Sequence, residues 1–310
     1  MEKHWAYAGA ESLLARYKDE IVCAAGISPS GPLHAGNLRE AMTTELVYRA
    51  ISRDANARFI FSWDDFDRLR KIPAGYPDSL KSDVGKPLSE VKDPWGEFES
   101  YASRFMKEFE NSLEKLGIFP EFIRQSEMYK SGAYDESIRL VMNNRKKVAD
   151  VLSRNMTSPM NTEQIENYFP LLVYSRFTEK DNTKILDFDG ESKILYRCNE
   201  TGKEDVLDFT CEHKVKLPWK LDWAMRWSHE GVNFEPGGTD HSTPGSSYDV
   251  SAQVSREIFL REPPEYLGYG FIRIKGQNGK MSSSSGSVIT PDELLRVYSP
   301  EMIRWLYAKP

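Results

Sequence analysis

Two loops carry the residue types best suited to bind a chain of phosphates. The first covers residues 28–37 and holds two glycines, two prolines, a histidine and an asparagine. It stands between an apolar run and a helical pattern, so the N–H groups and dipole of a helix N-terminus can face phosphate oxygens. Gly31 and Gly36 allow close approach of the backbone or a ligand, and His34 and Asn37 can donate hydrogen bonds to a triphosphate. An ordinary glycine- and proline-rich loop with a capping histidine is the alternative.

The second loop covers residues 280–286 and offers one lysine and four consecutive serine hydroxyls, with a glycine on each side of them. Such a loop can close over a triphosphate, and Lys280 can neutralise the charge that develops on a leaving pyrophosphate. The composition is also that of a flexible linker. The strand predicted at 272–274 and the helix predicted from about Pro291 argue against a free linker.

The pattern around the first loop is that of an α/β sheet. A buried strand is predicted at 21–25, a helix from Asn37, and a second strand at 57–63 that leads into two aspartates. A strand, a glycine-containing loop, a helix and a strand open a doubly wound parallel sheet. The remaining predictions are a loop at 78–95, helices at about 97–116, 134–153 and 162–168, short antiparallel strands within 170–215, and later strands of the parallel sheet at 232–234 and 267–274.

We therefore expect an α/β, Rossmann-like nucleotide-binding domain with a doubly wound parallel sheet, interrupted by an α+β insertion. The predicted division is 1–95 for the first half of this domain, 96–215 for the insertion, 216–276 for the second half, and 277–310 for the serine-rich loop and the start of a helical region.

Composition narrows the class of protein. The 310 residues carry a formal net charge of −6, which excludes a strongly basic, charge-driven binder but leaves room for local basic patches that contact nucleic acid. Three cysteines fit a reducing cytoplasm better than a disulfide scaffold. Because no run approaches about 20 apolar residues, no membrane segment is expected, and the N-terminus lacks a signal-peptide core.

Further motifs carry a resemblance to a known family. They are SWDDFDRLRK at 62–71, KLPWKLDWAMRW at 216–227 and FEPGGTDH at 234–241. With the first loop as a HIGH-type signature and the second as a KMSKS-type loop, the chain resembles class I aminoacyl-tRNA synthetases and, within them, the class I lysyl-tRNA synthetases. The resemblance runs over about residues 10–310.

The resemblance implies a role for each matching residue. Catalytic residues would be His34, Asn37 and Lys280. ATP-binding residues would be Pro29, Gly31, His34, Gly36, Asn37, Gly238, Asp240, His241, Lys280, Met281, Ser282, Ser283 and Ser284. Amino-acid-binding residues would be Gly26, Ser28, Asp64, Trp219, Trp223, His241 and Tyr269, with Asp64 on the α-ammonium.

The physical chemistry of these residue types is compatible with a lysine pocket. A long aliphatic stem needs apolar or aromatic walls, and an ammonium needs a carboxylate or an aromatic face. Three tryptophans between Trp219 and Trp227 can form walls, although core packing is the expected role of at least one. The aspartates at 64, 65 and 67 can supply carboxylates; the alternative is a solvated loop paired with Arg68 and Arg70.

The activity that the resemblance implies is lysine–tRNA ligation: L-lysine and ATP, with Mg²⁺, give lysyl-adenylate, and the lysyl group passes to tRNA. The alternatives are a paralogue that makes an aminoacyl-adenylate for another acceptor or from another amino acid, and a non-catalytic nucleotide- or RNA-binding module. We expect a cytoplasmic monomer. The predicted contacts for the tRNA acceptor stem are Arg139, Arg145, Lys146 and Lys147 on one helix of the insertion; a solvated helix face is the alternative.

Two of the departures from the family concern a metal site and the anticodon domain. Many relatives carry paired cysteine ligands in the insertion, whereas only Cys198, Cys211 and His213 are available here. Structural zinc usually has four nitrogen or sulfur ligands, so we expect no structural zinc and a metal-free hairpin. Family members also continue into an α-helical domain that reads the anticodon. We expect either a catalytic fragment or a paralogue without that domain.

Overall fold

The computed structural model describes residues 3–241, 243, 245–270, 272 and 288–309, except for the side chain of Asp240. The strands are β1 (Ile21–Ile27), β2 (Ala57–Trp63), β3 (Glu121–Arg124), β4 (Leu172–Val173), β5 (Thr183–Phe188), β6 (Lys193–Cys198), β7 (Glu204–Asp208), β8 (Val215–Lys216), β9 (Val232–Phe234), β10 (Gly237–Gly238) and β11 (Gly268–Tyr269).

The α-helices are α1 (Trp5–Arg16), α2 (Ala35–Ile51), α3 (Tyr101–Lys115), α4 (Gln125–Lys130), α5 (Asp135–Asn143), α6 (Arg145–Arg154), α7 (Thr162–Glu166), α8 (Phe209–Glu212), α9 (Trp219–Glu230), α10 (Ser247–Glu257), α11 (Pro291–Val297) and α12 (Pro300–Ala308). Short 3₁₀ turns cover Asp78–Asp83, Leu88–Glu90 and Thr239–His241.

A parallel sheet forms the centre of the fold. Its four strands run in the order β3-β2-β1-β9, and all three pairings are parallel. Side chains alternate between the faces of a strand, so Val22 and Ala24 pack with α9, whereas Ala25 packs with α2. Coverage of both faces explains why β1 is an unbroken apolar run. The predicted doubly wound α/β fold is confirmed.

The range 170–215 contains the expected antiparallel strands. The strands β5, β6 and β7 form one antiparallel sheet, and β4 pairs with β8 in another. The position of β3 differs from the prediction. It lies inside the range 96–215 expected to be an insertion, yet it pairs with β2 in the parallel sheet. The pairing therefore assigns residues 121–124 to that sheet.

Several predicted boundaries are wrong. The expected helix 134–153 is two helices, α5 and α6, because Asn144 leaves the helical region at φ −99° and ψ 18°. Its side-chain amide donates to the Leu140 carbonyl at 2.8 Å, a local bond that competes with the helix backbone. The helix expected from 97 begins at Tyr101, where Ser100 and Ser103 form a capping box.

The strand expected at 267–274 differs as well. Of its described residues, Gly268 and Tyr269 form β11, which pairs in parallel with β10 and not with the four-stranded sheet. Residues 271, 273 and 274 lie outside the described part.

The helix α12 packs against the start of α2. Ile303 and Tyr307 are buried in the same apolar cluster as Leu38. The Tyr307 hydroxyl donates to the carbonyl of Ala35 at 2.6 Å, and Arg304 pairs with buried Glu45 at 2.7 Å. The C-terminal described segment thus holds the helix that begins at the first predicted loop.

Within the described residues, no helix combines the length and apolar character that a membrane span requires.

Candidate active site

A pocket of about 460 Å³ opens at the carboxyl ends of β1 and β2. In doubly wound sheets, ligands bind outside these strand ends. The pocket brings together ten of the residues predicted from the sequence: Gly26, Ser28, His34, Gly36, Asn37, Asp64, Trp219, Gly238, His241 and Tyr269.

Three other residues predicted to bind ATP or the amino acid are described by the structure but do not line this pocket. Pro29 and Gly31 belong to the first loop but are absent from the pocket lining. Trp223 lies behind Trp219, with the two rings stacked at 5.0 Å, and is only 5% exposed. Because it packs in the core, it supports the pocket wall without lining it. Outside the described residues lie Lys280, Met281, Ser282, Ser283, Ser284 and the side chain of Asp240.

His34 and Asn37 form a reciprocal cap at the start of α2. The His34 Nδ1 accepts the backbone N–H of Asn37 at 3.3 Å, and the Asn37 side-chain oxygen accepts the N–H of His34 at 3.0 Å. Burial lowers the pKa of His34, so its ring is neutral at pH 7. With Nδ1 as an acceptor, the proton resides on Nε2. The cap therefore leaves the Nε2–H of His34 and the amide hydrogens of Asn37 as donors at a helix N-terminus.

Gly36 is required by the packing of His34. A Cβ at this position would lie 2.8 Å from Cε1 and 2.9 Å from Nδ1 of the imidazole. Any side chain here would displace the ring from its capping position. The sequence analysis expected Gly36 to permit close approach, and the group that approaches is the neighbouring histidine.

The opposite wall is a network of buried charges. Arg226 contacts Oδ1 of Asp64 at 2.6 Å and approaches Asp222 at 3.3 Å. Lys216 lies 3.1 Å from Asp222 and 3.2 Å from Asp67. Burial raises the pKa of Asp64, and the Arg226 guanidinium opposes this. Asp64 and Asp67 line the pocket, so the network presents carboxylates to a ligand and keeps its cations behind them.

Glu40 is a pocket residue that the sequence analysis missed. It lies on α2 and accepts a hydrogen bond from the Tyr269 hydroxyl. Burial raises the pKa of Glu40 to about 8, against the effect of that hydrogen bond. A signal was available, because residues three apart on a helix share a face and Glu40 follows Asn37 at that spacing.

Comparison with known proteins identifies the family of the chain. Residues 3–310 match the profile of a family described as tRNA synthetases class I (K). The chain belongs to this family. It is similar to the lysine–tRNA ligases of Pyrococcus horikoshii, at 42% identity over 99% of this chain, and of Pyrococcus furiosus, at 43% over 99%. The lysine–tRNA ligase of Borreliella burgdorferi is 39% identical over 98% of this chain. The chain spans 58% of the length of these three relatives.

The four basic residues predicted to contact an acceptor stem lie on two helices. Arg139 is on α5, whereas Arg145, Lys146 and Lys147 are on α6. Each contacts a neighbouring group: the Arg139 guanidinium pairs with Glu136, Arg145 reaches the carbonyl of Glu166, Lys146 pairs with the Glu166 carboxylate, and Lys147 donates to the carbonyl of Glu257. The predicted placement of all four on one helix is wrong. Their contacts within the fold are those of side chains on a solvated helix face, which was the alternative.

The three residues considered for zinc are dispersed. Cys198 is buried and Cys211 is exposed, while His213 lies 3.5 Å from Asp135. The Cys198 sulfur lies 3.9 Å from the Thr178 hydroxyl. In the part of the chain described here, no three His, Cys, Asp or Glu side chains are grouped so that they could hold a metal ion.

Proposed function

We propose that this chain activates L-lysine with ATP and transfers the lysyl group to tRNA. The observation that carries the proposal is the pairing, in one pocket, of a capped helix N-terminus with a wall of carboxylates. The first suits a triphosphate, and the second suits an amino acid with an additional ammonium group. The family and its lysine–tRNA ligase members support the same assignment.

The start of α2 would bind the phosphates. ATP enters as its magnesium complex, and its oxygens accept from Nε2 of His34 and the amide of Asn37. These donors are neutral and fixed in place, so they stabilise developing charge without reorganisation. We assign the neutralisation of the departing pyrophosphate to Lys280 and to the serines at 282–284, on the family resemblance.

Lysine fits the charge of the opposite wall. At pH 7 it carries two ammonium groups and one carboxylate. Three acidic side chains, Glu40, Asp64 and Asp67, line the pocket. Among the described residues of its lining, Arg70 is the one lysine or arginine. Because Arg226 contacts Oδ1 of Asp64, the second oxygen can accept the α-ammonium.

The side-chain ammonium would reach Glu40, where the hydroxyl of Tyr269 is already bound. Trp219 provides an aromatic wall for the aliphatic stem. This arrangement separates the two ammonium groups and leaves the substrate carboxylate directed towards the phosphates.

The reaction has two steps. A lysine carboxylate oxygen attacks the α-phosphorus of ATP in line, the bond to the bridging oxygen breaks, and pyrophosphate leaves with lysyl-adenylate formed. A hydroxyl of the terminal tRNA ribose then attacks the acyl carbon, loses its proton, and AMP leaves. The protein contributes position and electrostatic stabilisation, with no covalent enzyme intermediate. We further propose that the protein works as a monomer in the cytoplasm.

Amino-acid-dependent exchange of pyrophosphate into ATP tests the proposal. The assay runs the chain against all twenty amino acids, each with and without tRNA. Lysine alone should drive exchange. Exchange driven by a different amino acid, with lysine inert, would contradict the substrate assignment and leave the fold assignment unaffected.

A further inference from the structure

Two turns in the antiparallel part of the fold have the same backbone structure. The first turn covers residues 175–180 and the second turn covers residues 198–203. In each, the N–H of the first residue donates to the carbonyl of the sixth, and the N–H of the fifth donates to the carbonyl of the first, over 2.7 to 2.9 Å. The fifth residue has a left-handed backbone in both turns, with φ 61° at Glu179 and 70° at Gly202. The two turns are therefore structural equivalents.

The first and fourth side chains of the two turns meet between them. They are Ser175 and Thr178 from the first turn, and Cys198 and Thr201 from the second. The Cys198 sulfur lies 3.9 Å from the Thr178 hydroxyl, and the side chains of Ser175 and Thr201 hydrogen-bond to it. Cys198 is 0% exposed, and Ser175 is buried to the same degree. Three hydroxyls from two turns thus surround one buried sulfur.

This arrangement has the spacing of a structural zinc site, in which two turns each supply a pair of ligands. Zinc binds thiolate sulfur or imidazole nitrogen at such positions, and its ligands must be deprotonated. Here three of the four side chains are hydroxyls, which keep their protons at neutral pH. In the described part of the chain, no three His, Cys, Asp or Glu side chains are placed to hold a metal ion. The donor set therefore does not fit the zinc that the family resemblance implies.

Hydrogen bonds to the Cys198 sulfur can supply the connection that a metal ion would supply. Burial disfavours the thiolate. Hydrogen bonds from the side chains of Thr201 and Ser175, and from the N–H groups of Thr201 and Glu200, outweigh the effect of burial and lower the pKa of Cys198 to about 7. Hydrogen bonds to an ionised acceptor are stronger than those to a neutral one. The sulfur is thus an acceptor shared by both turns.

We propose that this chain joins the two turns through a metal-free cluster, in which the Cys198 sulfur and the three surrounding hydroxyls occupy the positions of four zinc ligands. The first turn connects the cluster to the candidate active site. Glu179 pairs with Lys86 at 2.9 Å, and Asp181, directly after that turn, pairs with Arg68 at 2.6 Å. The cluster therefore helps to hold the segment that follows β2 against the antiparallel sheet. This role is independent of which substrate the protein activates.

Introduction of three thiols tests the geometry of the cluster. The variant Ser175→Cys/Thr178→Cys/Thr201→Cys should bind about one zinc ion per chain when it is purified from zinc-supplemented medium. A chelator should then lower its melting temperature, because metal binding is coupled to folding. The unsubstituted protein, prepared in the same way, should hold no stoichiometric zinc and should melt at the same temperature with and without chelator.

A matched control adds the same number of thiols at dispersed positions. Ser52, Ser82 and Ser131 are exposed, and each hydroxyl donates to a nearby carbonyl. The variant with cysteine at these three positions should hold no stoichiometric zinc. Zinc in the first triple variant alone would show that its four thiols converge.

Cys198→Ala tests the sulfur itself and requires no metal. The substitution leaves buried hydroxyls without their shared acceptor, so the melting temperature should fall by about 2–6 °C. Cys198→Ser retains a hydrogen-bonding atom and should recover at least about half of that loss. Cys211→Ala, at an exposed thiol, is the control and should melt at the same temperature as the unsubstituted protein.

Stoichiometric zinc in the unsubstituted protein would overturn the proposal, because the two turns would then be joined by metal. A triple variant at 175, 178 and 201 that melts cooperatively but holds no zinc would also overturn it, since the four side chains would not converge. The Cys198 variants decide the matter if that triple variant fails to fold. An unchanged melting temperature in Cys198→Ala would show that the sulfur does not join the turns.

Discussion

The two walls of the pocket differ in how far apart in the chain their residues lie. On the phosphate wall, His34 and Asn37 are three residues apart and cap one helix. On the carboxylate wall, Asp64 and Arg226 are 162 residues apart and meet only in the folded chain. The first wall uses neutral donors, and the second uses buried charges that need partners. Local sequence therefore specifies the phosphate wall, whereas tertiary structure specifies the carboxylate wall.

The largest effect should follow from removing the central cation of the carboxylate wall. Arg226→Met leaves Asp64 and Asp222 buried without that partner, and breaking a buried pair costs about 3–5 kcal/mol. Urea unfolding at pH 7 should show a loss of that size. The loss should shrink as the pH falls, because the unpaired carboxylates take up protons. Arg197→Met, in the half-exposed pair with Glu204, is the control and should cost less than about 1 kcal/mol. Equal losses of stability in both variants would contradict the conclusion that the carboxylate wall depends on buried charge pairs.

On the phosphate wall, His34→Ala should slow adenylate formation by about 10²–10³, the usual cost of one lost donor to a developing charge. Single-turnover rates measure this directly. His34→Asn separates the two roles of the residue, because asparagine is a good helix cap but lacks the Nε2 donor. Full activity in His34→Asn would mean that the histidine only caps α2.

Glu40→Gln should raise the lysine concentration required for exchange by about 10- to 100-fold, since a hydrogen bond to a charged group contributes about 1.5–3 kcal/mol. The ATP requirement should stay nearly constant. If only the ATP requirement changed, Glu40 would contact ATP and not lysine, and the assignment would be wrong.

The same carboxyl predicts a pH dependence of lysine binding. Because the pKa of Glu40 is raised to about 8 in the free protein, the group is mostly protonated at pH 6.5 and must lose its proton to bind an ammonium. Lysine affinity should therefore rise as the pH increases from 6.5 to 8. Calorimetry in buffers of different ionisation enthalpy should detect the released proton. A lysine affinity that does not change with pH would contradict the assignment of this effect to Glu40. So would a pH dependence that remains in Glu40→Gln.

The smallest effect concerns the contact between α12 and α2. Tyr307→Phe removes one buried hydrogen bond to Ala35 and should cost about 0.5–1.5 kcal/mol of unfolding free energy. Tyr298→Phe, at an exposed tyrosine, should leave stability unchanged. A larger loss in the exposed variant would argue against a structural role for the contact.

The parts of the fold that could be predicted are those with a local signal. The strand β1 is a continuous apolar run, the loop that follows it holds two glycines and two prolines, and β2 contains the apolar run 59–61. By contrast, β3 has four residues, of which Glu121 and Phe122 are exposed, so its pattern differs from that of a central strand. The break between α5 and α6 at Asn144 depends on one side-chain hydrogen bond. The periodicity of apolar residues gives no sign of such a bond.

The candidate site follows the same rule. Residues that match family motifs, such as His34 and Trp219, were found and do line the pocket. Glu40 lies beyond the motif, and its role depends on Tyr269 from a distant strand. The pairing of Asp64 with Arg226 could not be predicted, because no spacing in the sequence relates the end of β2 to α9. The exclusion of Trp223 from the pocket lining is likewise a result of tertiary packing.

The hydrogen bonds that hold the backbone of Ala35 have a consequence for how the molecule responds to nucleotide. Both backbone polar groups of this residue are bound from the C-terminal described segment: its N–H donates to Ile289 at 2.8 Å, and its carbonyl accepts from Tyr307 at 2.6 Å. A ligand that orders the start of α2 therefore also favours the docked position of α12. Such coupling is reciprocal, so ATP should slow amide hydrogen exchange in 300–308, and loosening that helix should weaken the affinity for ATP by the same factor.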